Sequence, residues 1–330
     1  MTPHEDRMTA TRLLMIHTGG TIGMVRSDDG FTPAPGVVEA EVTRQLDLGG
    51  GMPDIHIQEL APLIDSANAT PEDWNRISGV IHRKHDEYDG FVVTHGTDTL
   101  AFSAAALTMA LEGLEKPVVL TGSMLPLSEP ENDGQRNLAD AFNAACSAQP
   151  GVWVQFAGRL LHGARIRKTH SHFFDAFAAE AADGPPRRAG TAGVTRHDFG
   201  SPDVAVLPVV PGGAGNVLLH AAKTCDGIVL RCFGSGTIPN NPRTEEALRI
   251  AVEREIPVIA VSQCPEGGIA LGTYAAGAIL TRHLAVDGHD MTVEAAYVKM
   301  VLALTRGGNV AELRKFLSEP LCGESNSAEA

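Results

Sequence analysis

Short apolar runs that stop abruptly at glycine and hydroxyl residues set the rhythm of this chain. Residues 13–17 run into Thr18, Gly19, Gly20 and Thr21; residues 91–94 run into His95, Gly96, Thr97, Asp98 and Thr99. Each run has the length of a buried strand and ends in residues that turn the backbone. Between them Thr70, Pro71 and Asp73 supply an N-cap, an N1 proline and an acidic first turn, which predicts a helix continuing to about Lys84. Residues 100–114 are apolar almost all round and predict a helix buried on most sides. A strand over 117–121, a polar loop over 126–134, a helix from about Asn137 and a strand over 152–156 continue the alternation.

Strands separated by helices predict βαβ units and a mostly parallel sheet. Residues 180–204 lack periodicity and mix glycine, proline and charge, the signature of a link between domains. The pattern resumes with strands over 205–209, 227–232 and 257–262 and helices over 217–223 and from Thr244 to about Glu255. The tail predicts a helix over 292–305, a Gly-Gly stop, and a capping box at Asn309 and Glu312. The expected fold is therefore α/β in two domains. A large N-terminal, doubly wound, mostly parallel domain spans 1–185, a linker 186–204, and a smaller C-terminal α/β domain with its own parallel sheet 205–330.

Composition narrows the function classes. A chain of 330 residues exceeds one ordinary core, and 43% apolar with 20% charged residues is the balance of a soluble globular protein. A net charge of −14 argues against nucleic acid or an anionic membrane as partner. Cys146, Cys225, Cys232, Cys264 and Cys322 are odd in number and form no CxxC pair, which favours reduced thiols over a disulfide framework or zinc site. The N-terminal run is too short for a signal-peptide core, and no apolar stretch is long enough to cross a bilayer. A cytoplasmic location is expected. His95, His170 and His172 lack the carboxylate or cysteine spacing of a metal site, so no metal and no cofactor is expected; His95 is expected to donate a structural hydrogen bond that holds its loop.

Parallel α/β sheets bind ligands at the carboxyl ends of their strands, and two such ends here carry threonines and one carboxylate. A threonine hydroxyl becomes a nucleophile only when a base or strong hydrogen bond takes its proton. Gly19 and Gly20 let the backbone turn tightly beside Thr21. Neither GxGxxG nor GxxxxGK[ST] is present, so nucleotide binding has little support, although an ordinary turn or a phosphate cradle stays open for the first motif. Simple helix capping stays open for Asp98 and Thr99.

Thr18-Gly19-Gly20-Thr21-Ile22-Gly23 and Gly90-x-Val92-x-x-His95-Gly96-Thr97-Asp98-Thr99-Leu100 resemble the two signatures of the bacterial-type L-asparaginase family. Asp65-Ser66, Thr121-Gly122-Ser123, Asp133-Gly134-Gln135-Arg136-Asn137-Leu138, Lys168, Ser262-Gln263-Cys264 and Asp290-Met291-Thr292-Val293-Glu294 extend the resemblance over most of the chain, nearest the cytoplasmic type I branch. The resemblance implies hydrolysis of L-asparagine to aspartate and ammonia through an acyl-threonine. It makes Thr21 the nucleophile and Thr97 a second catalytic threonine bonded to Lys168. Asp98 then holds the substrate α-ammonium, and Asp65 and Ser66 lie against its α-carboxylate. Backbone N–H groups around Thr97 would stabilise the oxyanion.

One departure stands out. The family's lid loop carries a tyrosine about ten residues after the nucleophile, whereas the matching position here is Phe31. Phe31 is expected to close over the substrate as an apolar lid, with Lys168 and Thr97 supplying the proton path. The resemblance also implies a homodimer or homotetramer with sites near the junction of one N-domain and a neighbouring C-domain. Some relatives carry a second, regulatory site. Arg231 and Cys264 lie in segments resembling it, whereas Arg167 and Thr237 depart from its pattern. The alternatives to an asparaginase are a broader amidase acting on glutamine and an amino-acid-binding relative that no longer turns its ligand over. The tRNA-dependent amidotransferase relative is disfavoured, because a first signature at Thr18 leaves no room for its extra N-terminal domain.

Overall fold

The computed structural model describes residues 11–28, 30–47, 53–191, 193–213 and 215–326. Strand β1 (Arg12–Gly19) is followed by the hairpin β2 (Met24–Ser27) and β3 (Gly30–Pro33), helix α1 (Val37–Asp47) and β4 (Asp54–Ile64). Next come α2 (Pro71–Lys84), β5 (Gly90–Thr94), α3 (Leu100–Ala110) and the short β6 (Leu111–Glu112). Then β7 (Pro117–Thr121), α4 (Gly134–Ser147), β8 (Gly151–Phe156) and β9 (Arg159–His162) complete the main sheet, and β10 (Ile166–Lys168) pairs with β11 (Phe177–Ala179) as a ribbon.

The main sheet runs β4-β1-β5-β7-β8-β9, parallel throughout except for the last pair. Along β1 the side chains alternate between two cores. Leu14 and Ile16 pack with Ile77 and Ile81 of α2 and Leu107 of α3, while Leu13 and Met15 pack with Val38 of α1 and Phe142 of α4. Helices on both faces explain why the central strands are apolar without interruption.

Between the two units β12 (Thr195–Arg196) pairs back onto β6; the second unit starts from β13 (Val204–Pro208), continues through α5 (Gly215–Thr224), β14 (Gly227–Cys232), α6 (Pro242–Glu253), β15 (Val258–Ser262), α7 (Ala278–Arg282) and β16 (Val286–Asp287), and ends in α8 (Val293–Arg306) and α9 (Val310–Ser318). Its sheet, β13-β14-β15-β16, is parallel throughout. Ala105, Ala106 and Met109 of α3 pack against Ala295, Val298 and Leu302 of α8, so one apolar seam joins the two sheets. The two-domain α/β architecture read from the sequence is present.

Two local expectations are corrected. The helix predicted to Leu114 stops at Ala110, because Leu111 and Glu112 pair with Arg196 and Thr195 as strands. The cap of α6 is Asn241, whose side chain accepts from Arg243 N and Thr244 N, with Pro242 in the first turn; Thr244 is buried inside the helix. Strand β4 and the β2–β3 hairpin were not anticipated. The capping boxes at Thr70/Asp73 and Asn309/Glu312 are both formed.

The C-terminal turn straps the two units together. Asp290 holds the fully buried Arg165 (Nη2–Oδ2 2.6 Å) and accepts from Asn326 N and Nδ2, while Asn326 Nδ2 also donates to Ala181 O. Glu324 and Lys299 form a fully buried ion pair at 2.7 Å. Burial alone would raise the Glu324 carboxyl, but the Lys299 ammonium and the N–H groups of Cys322 and Leu321 outweigh it and hold the pKa below its usual value. Its stabilising contribution is therefore complete above the unfolded glutamate value of about 4.3 and is lost as pH falls through the lower folded value. Glu324→Gln leaves the buried Lys299 ammonium without a counter-charge, held only by neutral acceptors such as the Glu319 carbonyl at 2.7 Å, and is expected to cost about 3–5 kcal/mol at neutral pH. Urea unfolding checks this, and the parent's loss of stability in acid should flatten in the variant.

Candidate active site

Chain order in the main sheet places β1 between β4 and β5, so the direction of winding reverses between β1 and β5. Ligands of open α/β sheets bind beyond the carboxyl ends of strands at such a reversal. His17 pairs with Thr94 at these ends, and Thr18 Oγ1 donates to Thr94 O at 2.6 Å, fixing where the two loops begin.

The loops touch backbone to backbone. Gly20 has φ +92°, and a Cβ there would stand 2.5 Å from Gly96 N. A Cβ on Gly96 would collide with the Ser66 side chain. Only residues without side chains fit at this junction. Each threonine of interest, Thr21 and Thr97, is the residue immediately after a contacting glycine. The junction therefore gathers the Thr21, Thr97 and Ser66 loops, and Thr99 Oγ1 tightens it by donating to Ser66 O at 2.8 Å.

Lys168 enters from β10. Its Nζ donates to Thr97 Oγ1 at 2.9 Å and to Asp98 Oδ1 at 2.8 Å. Thr97 is buried and Lys168 mostly so, while the Asp98 carboxylate remains open to solvent. An ammonium held against a buried hydroxyl favours its deprotonated form. Asp65 is placed differently from its neighbours: its carboxylate accepts from Ala67 N and Asn68 Nδ2, capping the turn that presents Ser66. Phe31 sits on β3 opposite Arg26, whose guanidinium lies 5.0 Å over the ring. Arg26 is in turn held by Glu129 at 3.2 Å, and the Phe31 ring is 40% exposed on this hairpin.

With this geometry in place, the family comparison is decisive. Residues 12–192 match the family model for the N-terminal asparaginase domain, and residues 203–317 match that for the glutaminase/asparaginase C-terminal domain. The chain belongs to the asparaginase family. L-asparaginase 1 of Escherichia coli (strain K12) is 36% identical over 333 residues, covering 96% of this chain and 98% of that protein. The thermostable L-asparaginase from Thermococcus kodakarensis has a similar structure, with a TM-score of 0.87 at 32% identity over 96% of this chain and 100% of that one. L-asparaginase I from Vibrio cholerae gives a TM-score of 0.86 at 32% identity over 96% of this chain and 99% of that one.

Residues that sequence reasoning left without a role emerge around the same loops. Asp133 is buried and accepts from Met124 N, Leu125 N and Asn137 Nδ2; burial pushes its pKa up. Asn137 also donates to Gly122 O at 2.9 Å and accepts from Ala157 N, tying the end of β7 to that of β8. The signal was Asp and Asn four apart at a helix start, a spacing that lets both side chains turn toward the preceding loop. Ser103, hidden in the apolar run of α3, bonds His95. Lys168 also lines a cavity of about 270 Å³, together with Arg167, Glu180, Arg231, Cys264 and Glu294. Arg167 is ion-paired with Glu180 there, and Thr237 is turned back on the Phe233 carbonyl.

Proposed function

We propose that this chain hydrolyses L-asparagine to L-aspartate and ammonia, with Thr21 as nucleophile. Thr21 Oγ attacks the side-chain amide carbon, the C–N bond breaks as ammonia leaves with a proton, and water then attacks the threonyl ester to release aspartate and restore the hydroxyl. The observation that carries this reading is the Lys168–Thr97–Asp98 cluster, closed by side chains about seventy residues apart and set beside the Gly20–Gly96 junction. Lys168 steadies negative charge on Thr97 Oγ1, which makes that oxygen an acceptor for the Thr21 proton. Asp98, anionic and solvent-facing, suits an α-ammonium, and Ser66 offers a hydroxyl to the α-carboxylate. Asp65 supports Ser66 through the turn it caps.

A homodimer or homotetramer, completed by a neighbouring C-domain, and a cytoplasmic location belong to the same proposal. All five cysteines are free thiols, which supports a reducing compartment.

Purified protein with asparagine and an ammonia assay tests the reading. Turnover of asparagine faster than glutamine is expected. Faster release from glutamine favours the broader amidase, whose name the C-terminal family model shares, and binding without release favours a sensor.

Phe31 provides a sharper check. If it is an apolar cover, Phe31→Tyr raises kcat by less than about 10-fold, whereas a missing proton relay would be worth about 10² or more. Phe31→Ala should instead raise KM, read from initial rates.

A further inference from the structure

A chain of buried hydrogen bonds runs under the loop that carries Thr97. Trp74 Nε1 donates to Ser103 Oγ at 3.1 Å, Ser103 Oγ lies 2.9 Å from His95 Nε2, and His95 Nδ1 lies 2.8 Å from Gly96 O. All three side chains are buried. An indole N–H can only donate and a carbonyl can only accept. His95 Nδ1 must therefore carry a hydrogen toward Gly96 O. Burial pushes the His95 pKa down, against smaller opposing effects of the Gly96 carbonyl and Asp73, which favours the neutral ring; with its hydrogen on Nδ1, Nε2 is an acceptor. Ser103 O–H then donates to Nε2. Every hydrogen along the chain has one assignment.

The end of the chain is a single peptide. In a trans peptide the C=O and the following N–H point in opposite directions. Holding Gly96 O on the buried His95 ring aims Thr97 N–H the opposite way, away from that ring. Gly96 must be glycine for the Ser66 contact, and that freedom would otherwise let the peptide rotate. Among the described residues no backbone carbonyl takes the Thr97 N–H.

We propose that Trp74, Ser103 and His95 are positioning residues that fix the Gly96–Thr97 peptide, so that Thr97 N–H meets the oxyanion formed on the substrate amide. The inference rests on the acyl-threonine reading above. An oxyanion donor acts in the transition state rather than on bound substrate, so loosening it lowers kcat and spares KM.

Ser103→Ala leaves His95 Nε2 without its donor. It is expected to lower kcat about 10-fold or more with KM within about 3-fold, at an unchanged folded fraction. Trp74→Phe, which keeps the ring but removes the N–H, should give a smaller fall of the same kind. Ser103→Thr, which restores a hydroxyl, should recover most of the rate. A parental kcat in Ser103→Ala, or a KM that moves as far as kcat, overturns the inference and leaves the functional reading standing. Ring-nitrogen NMR of His95 in the unaltered protein tests the chain without turnover. A protonated Nδ1 and bare Nε2 are expected, and a proton on Nε2 overturns it. Failure of the unaltered protein to release ammonia would instead strike the functional reading itself.

Discussion

Thr21→Val is expected to abolish ammonia release from L-asparagine, with kcat falling by about 10³-fold or more. Valine keeps the β-branch and removes the hydroxyl. Thr21 is only half-buried, so the fold loses little. The check pairs turnover with calorimetric binding of asparagine. Binding within about 3-fold of the parent and no turnover is the expected pair, since the hydroxyl belongs to the chemical step. Loss of binding together with turnover would mean that the residue shapes the pocket rather than reacts.

Lys168→Met should lower kcat by about 10²–10⁴, the range of positioned proton-transfer groups. Methionine keeps the length of the side chain and removes the ammonium that bonds Thr97 and Asp98. Asp98 faces solvent, so leaving it unpaired costs under about 1 kcal/mol of stability, and a large activity loss cannot be put down to unfolding. Lys168→Arg is expected to recover little. A planar fork does not place one compact charge between a threonine hydroxyl and a carboxylate. Initial rates with a thermal-melt control decide the matter, and an Arg variant near the parental rate would show that only net charge is needed.

How much of this was legible in the sequence depended on burial. The β1 and β5 runs announced themselves because strands covered on both faces are apolar throughout, and their turns because glycine and threonine follow at once. The α2 start was equally plain, since its capping box is local chemistry. Strand β4 was silent for the opposite reason. It lies at the sheet edge, half its positions are exposed, and it carries Pro62, which an edge strand tolerates and a central one does not. The β2–β3 hairpin is exposed along most of its length, so it has no apolar signature.

The site divides in the same way. Thr21, Thr97 and Asp98 sit in short motifs with local meaning. Lys168 lies in a basic run and stood out only through the family resemblance, because its partners are some seventy residues away. The bond between Arg165 and Asp290 spans 125 residues and has no local trace at all. Ser103 was camouflaged within an apolar helix, where a hydroxyl contributes nothing to periodicity until its neighbours in space are known.

Rapid acid quenching of the enzyme during turnover of L-asparagine, followed by peptide mass spectrometry, tests the central claim most directly. An aspartyl ester is expected on the peptide containing Thr21, on the Thr21 oxygen, and absent from Thr21→Val. An aspartyl group on Thr97 or another residue, or steady turnover in Thr21→Val, would contradict the account.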